Sequence, residues 1–309
     1  MKRLVLIDTA NFLHRAFYAF PMNLTTSDGH VINAVYGFVS MLLALTKELA
    51  PTHLVAALES EKEVVFREIE FPEYKATRVP KSPEEQAAYE SQFPLLLKFF
   101  EVAKIRVLQA EGYEADDVIG TVAKKAIRNK QQATEVTIAS NDRDLMQLIS
   151  GNVKFYLPAM GKRPPKLYGK KEFREEFGFD PAQLVEYKAL RGDPSDNIPG
   201  VRGIGDKTAR ELVQKYGTLE NIYQHILEIR PSVAQKLSDG KDKADLSRRL
   251  ATIVTDLPLK VRFKEMSFSG LEQPEVLELL RGWGFKSLLV KLGVSQEESK
   301  EEKSQLELL

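Results

Sequence analysis

Glu111-Gly-Tyr-Glu-Ala-Asp-Asp-Val-Ile-Gly120 is the stretch from which the rest of the chain reads outward. It sets Glu114, Asp116 and Asp117 within four residues. Three carboxylates so close repel one another. They stay ionised cheaply only in open water, at a helix N-terminus or around a cation. Val118, Ile119, Val122, Ala123 and Ala126 follow at helical spacing, which puts the acids on the first turn of an amphipathic helix. Solvated acids complementing the helix dipole are one reading, and a cation site is the other.

Composition narrows the classes. The chain has 309 residues, enough for one large domain or two smaller ones with a sizeable core. Its 43% hydrophobic and 28% charged content is ordinary for a soluble globular protein. Basic and acidic residues balance at 44 each, which by itself suggests no polyanion partner. Ser295–Leu309, however, holds five Glu and two Lys, a net of −3, so the remainder carries +3. The absence of cysteine excludes disulfides and thiolate zinc sites. The four histidines, at 14, 30, 53 and 225, form no zinc motif. The opening MKRLVLIDTAN has too short an apolar run for a secretory leader. No segment approaches the about 20 apolar residues of a membrane span. A cytoplasmic monomer without a membrane partner is expected.

In chain order, Leu4–Ile7 reads as a buried parallel strand ending at Asp8. Helices are expected over Asn11–Phe20 and Val35–Leu49, then a strand over His53–Leu58 ending at Glu59. Pro72, Pro80 and Pro83 break the next region. Ser82-Pro83-Glu84-Glu85 is a capping box, predicting a helix from there toward Glu101. A strand over Ile105–Leu108 precedes the acidic stretch. A further strand, Glu135–Ala139, leads into Asn141-Asp142-Arg143-Asp144, and Val153–Leu157 follows as another. Residues 159–170 read as a basic loop, and Lys170–Phe177 and Pro181–Gly192 as helical. Beyond Leu219 the pattern is mostly helical.

Nine carboxylates stand at strand ends or loop–helix junctions: Asp8, Glu59, Glu114, Asp116, Asp117, Asp142, Asp144, Asp193 and Asp196. Most acids belong on solvated helix faces, so this pile-up points to one acidic pocket at the C-terminal edge of a parallel sheet. Oxygen ligands without His or Cys favour magnesium or manganese over zinc. More acids than one ion can use point to two ions, about 4 Å apart, as in phosphodiester hydrolysis. Gly200-Val-Arg-Gly-Ile-Gly205 fails as a dinucleotide fingerprint, because no strand precedes it. It reads as a tight hairpin between helices. Either it is a plain helical corner, or Gly203 and Gly205 let backbone N–H groups approach a phosphate with Lys207 and Arg210 nearby.

LVLIDTANFLHRAF, FREIEFPEYKATR, GYEADDVIGTVA, SNDRDLMQL and GDPSDNIPGVRGIGDKTA together resemble the 5′-nuclease family of flap endonucleases and 5′→3′ exonucleases. The likeness is greatest to the N-terminal nuclease domain of bacterial DNA polymerase I, here expected to be free-standing. The resemblance spans residues 4 to about 292. It implies an α/β fold with a central, mostly parallel sheet flanked by helices, a PIN-like core over residues 1–180 with a helical arch at about 72–101. A helix–hairpin–helix region over 181–293 and a disordered acidic tail over 294–309 would follow. The activity implied is cleavage of DNA at a 5′ flap or single-strand/duplex junction, in primer removal and repair.

The resemblance also implies roles. Asp8, Glu59, Glu114 and Asp116 would surround a first magnesium or manganese ion. Asp117, Asp142, Asp144, Asp193 and Asp196 would serve a second. Lys75 and Arg78 would contact the scissile phosphate and carry catalysis, and Tyr74 would stack on the terminal base. Arg15 would touch phosphate from the first helix. Gly200, Arg202, Gly203, Gly205, Lys207, Thr208 and Arg210 would form the duplex-binding hairpin, whose carbonyls would also hold potassium. Three positions depart from the family's usual pattern: Glu59 replaces an Asp, Asn141 replaces a Gly whose left-handed backbone an Asn tolerates, and Arg143 replaces a Lys and keeps its charge.

Rival readings fit less well. A dehalogenase-like phosphatase needs an acid where Ala10 stands, and a small metal-dependent ribonuclease would lack arch and hairpin. A DNA-binding protein without catalysis is favoured only by Glu59. His14 and His53 read as structural, Trp283 and Phe285 as core, and the lysines of 162–171 as a solvated face. Gln305-Leu-Glu-Leu-Leu309 resembles peptides that bacterial replication enzymes insert into the sliding clamp, and is otherwise a stray helical turn.

Overall fold

The computed structural model describes residues 2–60, 65–128 and 134–294. The expected disordered tail and clamp peptide lie outside the described residues. The elements begin with β1 (Lys2–Asp8), α1 (Thr9–Ala19), α2 (Asn33–Leu49), β2 (His53–Ala57) and α3 (Phe66–Glu70). Then come α4 (Pro83–Glu90), α5 (Phe93–Val102), β3 (Arg106–Leu108), α6 (Ala115–Arg128), β4 (Thr134–Ala139), β5 (Val153–Leu157) and β6 (Lys166–Tyr168). Helices α7 (Lys170–Phe177), α8 (Leu184–Arg191), α9 (Asp206–Tyr216), α10 (Leu219–Gln224), α11 (Pro231–Asp239), α12 (Lys241–Ala251), α13 (Pro274–Gly282) and α14 (Lys286–Lys291) complete the order. The strand order is β3-β2-β1-β4-β5-β6.

The chain groups into two compact units. The first comprises residues 1–8, 57–80 and 108–261. In it β1 and β4 run parallel, Lys2 opposite Thr134 through Ile7 opposite Ala139. β4 and β5 are also parallel, with Val136 opposite Val153. Parallel strands bury both faces, and Leu4–Ile7 are almost wholly enclosed, as their unbroken apolar run requires. This register brings Asp8 and Ser140 to the same C-terminal edge. β6 closes that side antiparallel, Phe155 opposite Tyr168. This corrects the expectation of a loop over 159–170: three residues are too few to show periodicity, and the ladder with β5 makes the strand.

The second unit comprises residues 9–56, 81–107 and 262–309. Phe12, Leu13, Ala16 and Phe17 of α1 are buried, as is most of the apolar face of α2. A Cβ at Gly37 would stand 2.7 Å from that of Ala16, so the two helices approach closely only because Gly37 has none. Ser82 caps α4 as expected, accepting from the Glu85 N–H at 3.2 Å. The helix does not run unbroken to Glu101, however. A second helix, α5, begins at Phe93 with Pro94, which has no N–H to donate, in its first turn. Gln92, at the junction, is fully buried. Its Oε1 accepts from the Ala34 N–H at 2.8 Å and its Nε2 donates to Asn33 Oδ1 at 2.9 Å, which satisfies the start of α2. Trp283 and Phe285 are in the core, as expected, and buried His53 bonds the Thr52 hydroxyl at 2.8 Å.

Candidate active site

The first unit gathers its acids where strands end and helices begin. Asp8, the last residue of β1, accepts from the Ser140 hydroxyl at 2.7 Å. That hydroxyl in turn accepts from the Asp142 N–H at 2.9 Å. Asp142 Oδ1 takes the Asp144 N–H at 2.8 Å and so caps the short 3-10 turn Arg143–Leu148. Asn141 is not among the residues with left-handed backbone, so this position makes no demand for glycine. Glu59 Oε2 accepts from the Ala115 N–H at 3.2 Å, at the open N-terminus of α6.

One cleft is lined by seven carboxylates, Asp8, Glu59, Glu114, Asp116, Asp142, Asp144 and Asp196, together with Tyr74 and Lys75. The other two expected acids do not line it. Asp117 is fully buried behind, where its Oδ2 and Oδ1 each accept an Arg67 nitrogen at 2.8 Å. It also accepts the N–H groups of Glu114 at 3.3 Å and Val254 at 2.8 Å. As arranged, these contacts engage both of its oxygens. Asp193 takes the Ser195 N–H at 2.9 Å and hydroxyl at 2.6 Å, and faces Lys188.

Two buried cations hold these acids, and the sequence reading had singled out neither. Arg67 donates all five of its N–H groups: Nε to the Leu250 carbonyl at 2.9 Å, Nη1 to Glu114 at 2.7 Å and Asp117, Nη2 to Asp117 and the Thr252 carbonyl at 3.0 Å. Burial works against its charge, but Asp116, Asp117 and Glu114 outweigh that and keep it protonated. Lys188, on α8, bridges Asp144 and Asp193. Arg67 stands inside the FREIE segment, yet nothing in that segment distinguishes a buried arginine from an exposed one. Lys188 had a signal, a lysine flanked by Tyr187, Ala189 and Leu190.

The expected phosphate contacts are engaged with carboxylates here. Lys75 pairs with Glu114, and Arg78 Nη2 donates to Asp196 at 2.8 Å. Lys75 has a left-handed backbone (φ 57°), and its N–H donates to the Asp196 carbonyl at 2.9 Å. Tyr74 is buried against Ile198, Leu250 and Ala251. Its hydroxyl lies 3.1 Å from Glu114 and 3.3 Å from Asp196, serving one at a time. As placed, its ring offers no face to a base. Arg15 belongs to α1 in the second unit and is half-buried.

Several observations bear on whether a cation fits. Glu114, Asp116 and Asp117 offer oxygens within 4.8 Å of one another. Asp116 Oδ1 is buried with no hydrogen-bond partner. Burial holds its carboxyl well above the usual range, with Arg67 opposing and Asp117 and Glu114 reinforcing the shift. Its nearest cation is Arg67 Nη1 at 3.8 Å, beyond hydrogen-bond reach, and a buried anionic oxygen without a donor is costly unless a cation or a proton takes it. The donor set, all oxygen, suits a hard divalent ion.

The hairpin spans Gly200 to Gly205 at the start of α9. A Cβ at Gly200 would stand 2.3 Å from the Gly192 nitrogen, and its φ is 61°. Gly200 thus belongs to the closure of the Asp193–Ile198 loop, which the mutual bonds of Asp193 and Ile198 at 2.9 and 2.8 Å complete. A Cβ at Gly205 would meet nothing within 4 Å, so the backbone there is open. Arg202 and Lys207 are exposed and Thr208 is half-buried. Arg210 is committed elsewhere, to Asp206 at 3.0 Å and the Phe177 carbonyl at 3.0 Å. The Gly203 carbonyl accepts from the Lys236 ammonium at 3.1 Å.

Comparison with known proteins matches residues 3–178 to the 5′-3′ exonuclease N-terminal resolvase-like domain. Residues 179–274 match the 5′-3′ exonuclease C-terminal SAM fold. DNA polymerase I of Bacillus caldotenax is 40% identical over 97% of this chain, but over only 33% of its own length. That of Caldicellulosiruptor bescii is 38% identical over 95% of this chain and 34% of its own. The chain thus spans about a third of the length of the curated relatives it matches. Among solved structures, the T5 5′-exonuclease with bound zinc ions superposes with a TM-score of 0.65 at 24% identity, covering 82% of this chain and 90% of that one. A bacteriophage T5 flap endonuclease in a complex with DNA and metal ions gives 0.64 at 24% identity, over 94% and 97%. At that identity the likeness establishes the fold: a mostly parallel sheet with flanking helices and a C-terminal helical region.

Proposed function

The chain belongs to the 5′-3′ exonuclease family, and on that premise we propose that it is a structure-specific 5′ nuclease acting on DNA at a 5′ flap or a single-strand/duplex junction. The observation that carries the reading is the cleft of seven carboxylates, among them an Asp116 oxygen that accepts no hydrogen bond. Asp8, Glu59, Glu114 and Asp116 would hold one magnesium or manganese ion, and Asp142, Asp144, Asp193 and Asp196 a second. When bound, such ions supply a nucleophile at neutral pH and charge stabilisation for the attacking and leaving oxygens of the phosphodiester.

The chain's own groups do the rest. Asp117 and Arg67 fix Glu114 and the first turn of α6, so the acids are oriented before any ion arrives. Lys75 and Arg78 exchange Glu114 and Asp196 for phosphate oxygens, bringing positive charge to the group being cleaved. The open backbone at Gly205, with Arg202 and Lys207, suits a duplex phosphate at the start of α9. Primer removal and repair are the processes this activity serves. The protein acts as a monomer, with Gln305–Leu309 as a tether to a sliding clamp, a reading supported by that peptide's sequence alone. The test is incubation of the full chain with a 5′-flap duplex: cleavage at the junction with magnesium and none with chelator is expected. Cleavage that persists in chelator, or none with either magnesium or manganese, would contradict the proposal.

A further inference from the structure

Lys188 is 7% exposed, within the buried run Tyr187–Leu190 of α8. Its ammonium contacts Asp144 Oδ1 and lies 2.5 Å from Asp193 Oδ2. These carboxylates come from separate segments, the turn after β4 and the loop after α8, and the ammonium joins them. The other acids of this group have other partners: Asp196 accepts from Arg78 at 2.8 Å, and Asp142 caps its turn through the Asp144 N–H. The ammonium thus stands on the lone pairs that a divalent ion between Asp144 and Asp193 would need. Ammonium and metal cannot share them, and their charges repel.

We propose that Lys188 is a built-in counter-cation of the second metal position. It holds Asp144 and Asp193 together before an ion arrives, and it must release Asp144 for a divalent ion to bind there. The inference rests on the two-ion reading above. It makes the second ion the weaker one for a reason located in a single side chain, and it leaves the first position untouched.

The experiment is a manganese titration of the full chain without DNA, read by the paramagnetic signal of free ion. Wild type is expected to show a tight and a weak class, with Asp116→Asn removing the tight one and Asp144→Asn the weak one. Lys188→Met should strengthen the weak class by about tenfold or more, by removing a like charge at contact distance, and leave the tight class unchanged. Lys188→Gln, which keeps a donor without the charge, should act in the same direction, so a folding defect in the Met variant does not decide the matter. In chelator the neutral variants should melt at lower temperature than wild type, and saturating manganese should close that gap. A weak class that appears only in the neutral variants would also support the inference. A weak class unchanged or weakened in the variant that folds would overturn it, as would its absence from wild type and variants alike. The two-ion reading fails separately, if Asp144→Asn cleaves a flap at the wild-type rate.

Discussion

Arg67 and Asp117 meet in a two-pronged ion pair, 2.8 Å on each prong, inside the protein and behind the acids that line the cleft. Because Asp117 also takes backbone N–H groups at Glu114 and Val254, the pair ties the first turn of α6 to the segment after α12. Removing the cation leaves buried carboxylates without a counter-charge. Arg67→Ala should therefore cost about 3–5 kcal/mol of stability, and Arg67→Lys should recover only part, because an ammonium cannot reproduce the fork. Urea unfolding in chelator checks this, and a loss below about 1 kcal/mol for the alanine variant, the range of exposed pairs, would show that the pair is not structural.

Lys75 and Arg78 should separate from Lys207 in what they do. Lys75→Ala or Arg78→Ala should lower single-turnover cleavage by about 100-fold or more, as the loss of an oriented transition-state donor does. Lys207→Ala should instead weaken duplex binding and flatten its dependence on salt. If all three variants changed only affinity, the assignment of Lys75 and Arg78 to the chemical step would be wrong.

Burial, with Asp142 adding to it and Lys188 opposing, pushes the Asp144 carboxyl up to about 7. An acid whose folded pKa lies above its unfolded one binds more protons in the folded state between the two. Stability therefore falls as pH rises from about 4, the unfolded value, to 7. In chelator the melting temperature should thus decline from pH 5 to 7.5 by more in wild type than in Asp144→Asn. Magnesium binding should strengthen over the same range and release a proton. Matching pH profiles for wild type and Asp144→Asn in chelator would show that Asp144 does not take up the proton.

The residues that were legible in sequence share a trait: they stand where a local pattern ends. Asp8 closes an apolar run, Asp142 and Asp144 follow β4, and Glu114–Asp117 open α6, so strand and helix boundaries marked the acids. Tyr74, Arg67 and Lys188 do not stand at such boundaries. Tyr74 is expected to stack on a base, but its ring is buried against Ile198 from the loop after α8 and Leu250 from α12, both over a hundred residues away. Arg67 is a charge whose burial depends on partners distant in the chain, which no local periodicity encodes, and Lys188 shows locally only as a lysine within an apolar run. β6 went unseen for a related reason, since a three-residue edge strand exists only through the partner it pairs with.

The role proposed for the cleft acids is to hold ions for cleavage rather than for folding or for grip on DNA. Its most direct test compares Asp116→Asn with wild type on one 5′-flap duplex, measuring cleavage in magnesium and affinity in calcium. Cleavage should be abolished while affinity stays within about tenfold, roughly 1.4 kcal/mol. A variant that cuts at near the wild-type rate would contradict that role.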